Sequence, residues 1–75
     1  MRIFGRIEGC EDLVALSEIA IQVEPGVLKD IAAFFSQCAQ EMEVESSWEH
    51  EHFSDSEFGN DSFPEIIIAR LTGPS

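Results

Sequence analysis

Between Pro25 and Met42 the apolar side chains Leu28, Ile31, Phe35, Cys38 and Met42 return at intervals of three and four, with Ala32 and Ala39 beside them. That spacing predicts an amphipathic helix of about four turns, running from about Pro25 or Val27 to Met42. Pro25 suits its first turn, where a residue without an N–H leaves nothing unpaired. Phe34 is expected at the margin of the stripe, partly exposed. One helix cannot bury such a stripe by itself, so the rest of the 75 residues must supply a surface to receive it.

The flanking segments read as strands. "MRIFGRIE" alternates, "GCED" supplies turn residues, and in "LVALSEIAIQV" Ile19, Ile21 and Val23 share one face while Glu18, Gln22 and Glu24 share the other. These two segments predict a hairpin. After the helix, Trp48 to Phe53 alternates as an extended segment, with Trp48, His50 and His52 on one side and Glu49, Glu51 and Phe53 on the other. "SDSEFGNDS" has loop composition, and "PEIIIARL" reads as a buried strand, apolar on both faces. The expectation is a single small domain over 1–75 of α+β class. It is a two-layer ββαββ arrangement, a four-stranded mainly antiparallel sheet with one amphipathic helix packed on one face. The other sheet face then lacks an internal cover, which invites a homodimer or a protein partner.

Charge narrows the partners. The formal net charge is −11, and from Asp30 to Ala69 there are ten acids and no Lys or Arg. Such a field repels phosphate backbones and anionic membrane surfaces, so neither nucleic acid nor membrane is an expected partner. Met1 leads straight into "RIFGRI", and no apolar stretch has the length of a signal peptide or a span, so a cytoplasmic location is expected. Cys10 and Cys38 are expected to be free thiols, Cys38 lying on the helical stripe.

The densest chemistry lies in "WEHEHFSDSEFGND", from Trp48 to Asp61. His50 and His52 have the spacing of two metal ligands on one strand, but no further His or Cys pairs with them and no recognised zinc motif is present. "DSEFGND" is rich in oxygen donors without the order of an EF-hand loop. His50 or His52 with Asp55 could serve as base and orienting carboxylate for Ser54 or Ser56. A chain this short has little room for a water-excluding pocket, and it shows neither a nucleophile turn nor a phosphate cradle. The residues therefore argue against an enzyme, with no catalytic, cofactor or metal residues assigned. A small dimeric metal-binding or regulatory module built on His50 and His52 is the alternative.

The residues "LVALSEIAIQVEPGVLKDIAAFFSQCAQEME", "HEHFSD" and "PEIIIAR" resemble the immunity protein 32 family of bacterial polymorphic toxin systems, over nearly the whole chain. "HEHF" followed by an "IIxAR" ending is the more distinctive part. The resemblance implies a protein that binds and neutralises a cognate toxin, of nuclease type in this family. A nuclease presents a basic cleft to phosphates, and an acidic protein can steer into it. On this reading the partner-binding surface comprises Glu45, Trp48, Glu49, Glu51, Phe53, Asp55, Glu57, Phe58 and Asp61, with aromatic anchors inside an acidic rim.

Overall fold

The computed structural model describes residues 1–59 and 64–71. The order of elements is β1 (Ile3–Arg6), β2 (Leu13–Leu16), α1 (Pro25–Val44), β3 (His50–His52), a 3-10 turn (Phe53–Asp55) and β4 (Ile67–Ala69). The expected ββαββ order is present in an α+β chain. The four strands nevertheless form two separate antiparallel pairs, β1 with β2 and β3 with β4, rather than one sheet.

The first pair is fixed by a tight connection. Arg6 opposes Leu13 and Ile3 opposes Leu16. Between them the Cys10 N–H donates to the Ile7 carbonyl, and Gly9 takes a positive φ of 86° that a side chain would disfavour. A turn this short makes Leu13–Leu16 the partner of β1. Ile19 to Val23, expected as the strand, instead runs on past the ladder, outside any strand.

Helix α1 begins with Pro25 in its first turn and runs to Val44, two residues beyond the expected end. Its buried face also differs from expectation. Val27, Ile31, Phe34 and Cys38 point inward, while Leu28 and Phe35 are exposed. Both rows are apolar and lie about one residue step apart around the helix. The row covered by Phe53, Trp48, Phe58, Ile66 and Ile68 is the one that becomes core. Phe34 meets Phe53 edge to face with ring centroids 5.2 Å apart, a favoured aromatic geometry.

Two contacts tie the C-terminal strands to that core. The Phe53 N–H donates to the Ile66 carbonyl at 2.7 Å, extending the β3–β4 pairing into the 3-10 turn. Gly59 lies against the Phe53 carbonyl, where any side chain would collide with backbone.

At the C-terminal end of α1 the acids Glu41, Glu43 and Glu45 gather where the helix dipole is negative and a cation is preferred. No basic residue lies in the last turn, but Arg70, just past β4, reaches back to it. Its guanidinium donates to the carbonyls of Met42 at 2.8 Å, Glu45 at 2.9 Å and Trp48 at 2.8 Å. Cationic donors here satisfy the Met42 and Trp48 carbonyls, join the Trp48 N–H at that of Glu45, and meet the negative end of the helix dipole.

Candidate functional site

A groove of about 210 Å³ opens between α1 and the β3 segment. Phe34, Gln37, Cys38 and Glu41 line it from the helix, and Glu51, Asp55, Ser56 and Glu57 from the opposite side. A second, wider hollow of about 540 Å³ shares Gln37, Glu41 and Glu57 and extends along the helix through Ala33, Gln40 and Val44. Four carboxylates therefore converge on one concave surface whose base is aromatic and apolar.

Local geometry explains the convergence. In β3, His50 and His52 lie on one face with their rings 5.5 Å apart, which turns the intervening Glu51 to the helix side. The 3-10 turn then brings Asp55 and Glu57 around to the same side. The Glu41 carboxylate is held in place by two donors, Gln37 Nε2 at 2.9 Å and the Trp48 indole Nε1 at 3.1 Å. Burial, and then the charges of Glu41 and Glu51, push the Cys38 thiol above its ordinary value, so it stays protonated at neutral pH.

The predicted partner surface divides on this geometry. Glu51, Asp55 and Glu57 line the groove, joined by Glu41, which sequence reasoning missed as a groove residue. Glu49 is exposed. Glu45 is the helix C-cap, its carboxylate accepting from Ser47 Oγ at 2.8 Å. Phe53 must be corrected: it is 2% exposed, at the centre of the core, and offers nothing to a partner. Trp48 and Phe58 are half-buried, packed on one side against that same core. Asp61 lies outside the described residues.

The histidines belong to a different cluster, centred on Glu65. Its Oε1 accepts the backbone N–H of Ser54 at 3.0 Å and of Ile66 at 3.1 Å. Its Oε2 accepts the Ser54 hydroxyl and meets His52 Nδ1 at 3.3 Å. Burial is the largest single influence on Glu65 and pushes its carboxyl up. The bonds from Ser54, His52 and Ile66 together outweigh it and hold the group below its ordinary value. The carboxylate stands between serine and imidazole, directing the Ser54 proton to Glu65 rather than to His52. Ser56 Oγ donates to the Phe53 carbonyl at 2.8 Å. Among the described residues no group of three or more His, Cys, Asp or Glu is placed to hold a metal ion, and Cys10 and Cys38 are unpaired thiols. Nor is any described helix long and apolar enough to cross a membrane.

Comparison with protein-family models, with curated proteins and with solved structures returns no match. The likeness to the immunity family accordingly rests on the quoted residues alone.

Proposed function

We propose that the chain is an immunity protein, a non-enzymatic inhibitor that binds a cognate toxin of nuclease type through the groove between α1 and β3. The observation that carries this reading is the convergence of Glu41, Glu51, Asp55 and Glu57 over Phe34 and Cys38. A concave anionic surface with an apolar base suits a Lys or Arg side chain, whose stem packs on the base while its cationic head meets the carboxylates. The basic residues a nuclease uses to hold phosphate are of this kind, and occupying them excludes the nucleic acid. The overall charge of −11 adds long-range steering, which raises the association rate more than it deepens the final affinity.

The test is co-expression with a nuclease-type toxin, taken from the neighbouring reading frame if that frame encodes one. Wild-type chain protects the cell. The triple reversal Glu51→Lys, Asp55→Lys and Glu57→Lys, with its helical circular dichroism intact, loses that protection. A folded triple variant that still protects overturns the groove as the binding surface. Association measured by stopped flow should slow steeply with added salt, and a rate indifferent to salt removes the steering argument.

A further inference from the structure

The N-terminal part of the chain folds with too much apolar surface showing. We propose that a second copy of the chain covers it, forming a two-fold symmetric homodimer through the outer face of the β1–β2 hairpin, the segment after it, and the uncovered row of α1.

Strand alternation puts Phe4 and Leu13 on the same side of the hairpin, and they are 51% and 56% exposed. Ile19 and Ile21 follow at 52% and 47%, and Leu28 and Phe35 on the helix at 53% and 41%. These side chains exceed the scattered single apolar residues a monomer ordinarily shows.

Area gives the scale. The chain exposes 6279 Å², whereas a compact monomer of its 8.4 kDa mass exposes about 4,600 Å². The surplus of about 1,700 Å², taken over the whole chain, is of the order that each subunit of an obligate homodimer buries, about 1,000–2,500 Å².

Two further observations select a second copy as the occupant. A two-stranded hairpin is marginal in water without a third strand or a helix against it, and β1 and β2 make extensive contact only with each other. Cover is therefore needed as soon as the chain folds, and only another copy is then always present. Residues Glu18 to Val23 carry strand alternation yet, among the described residues, make no hydrogen bond, leaving an edge that an identical segment can pair antiparallel across the two-fold axis. Charge permits the approach: residues 1–24 hold five acids and two arginines, while residues 25–75 hold ten acids and two basic residues. The interface therefore draws mainly on the less acidic part of each chain.

Sedimentation velocity and light scattering on the whole protein over a micromolar dilution series test the proposal. The expected mass is twice 8.4 kDa, with amides of Glu18 to Val23 protected from hydrogen exchange. Ile21→Glu and Phe35→Glu, both at exposed positions, should give monomer with helical circular dichroism retained and that protection lost. Glu43→Gln, at the far end of the helix, should remain dimeric. A wild-type monomer at the highest concentration overturns the proposal, as does a dimer that survives both Ile21→Glu and Phe35→Glu. The proposal does not depend on toxin binding, so loss of protection in cells leaves it standing.

Discussion

Helix α1 and the segments after it place Phe34, Cys38 and Phe53 at no more than 2% exposure, while the first 24 residues leave Phe4, Leu13 and Ile19 more than half exposed. The N-terminal region is the richer in apolar residues, 13 of 24 against 20 of 51, so what lies opposite each side chain, not apolar content, makes the difference. C-terminal to the helix, β3, the 3-10 turn and β4 all return to one helical row and close it. N-terminal to it, β1 and β2 pair with each other, and among the described residues Phe4 and Leu13 on one face of the pair stay more than half exposed. Hydrophobicity makes burial favourable, but connection lengths decide which surface is available to be buried against.

This contrast can be broken most forcefully at Phe53. Phe53→Ala removes the ring packed on Phe34 and should cost about 3–5 kcal/mol, enough to unfold much of a chain this small under native conditions. Phe4→Ala should cost the protomer within about 0.5 kcal/mol and act instead on the concentration dependence of the dimer. Urea unfolding of both variants at several concentrations separates the two outcomes.

Arg70 sharpens the contrast at intermediate scale, because it is how the C-terminal strands finish the helix. Arg70→Ala leaves the carbonyls of Met42 and Trp48 without this donor, while Glu45 keeps the Trp48 N–H, and a loss of about 1.5–3 kcal/mol is expected from the charge-assisted bonds. Arg70→Lys should recover only part, since an ammonium cannot reach three carbonyls in a planar fork. Thermal unfolding followed at the helix signal measures both.

The smallest effect belongs to Glu65 and appears as pH dependence. Folding lowers its carboxyl below the ordinary 4.5, so its contribution is fully present above that value and is lost as pH falls through the folded one. Exposure and solvent screening keep the contribution modest. Glu65→Gln should flatten the stability profile below about pH 4.5, leaving the neutral range little changed. An unaltered acid limb in the variant would separate Glu65 from that dependence.

What the sequence made legible follows the same division. Local pattern was enough for the helix, the ββαββ order, the shared face of His50 and His52 and the loop character of "SDSE". It placed Ile31 and Cys38 inward correctly but took Leu28 and Phe35 for core in place of Phe34, because Phe34 and Phe35 are chemically identical and only the covering elements distinguish them. It put β2 at Ile19 to Val23 on alternation alone, where the turn after Arg6 dictated Leu13–Leu16. The acidic character of the site was readable; that Glu41 joins Glu51 and Glu57 around one groove depends on how β3 lies against α1. Glu65 and Arg70 gave no local sign, since their partners lie 11 to 28 residues away.

That reach of Arg70 orders events during synthesis. The cation that completes α1 is separated from Met42 by 28 positions, so during synthesis the helix end is without this donor until Arg70 has emerged. Until then water alone is on hand for the Met42 and Trp48 carbonyls that Arg70 later fills.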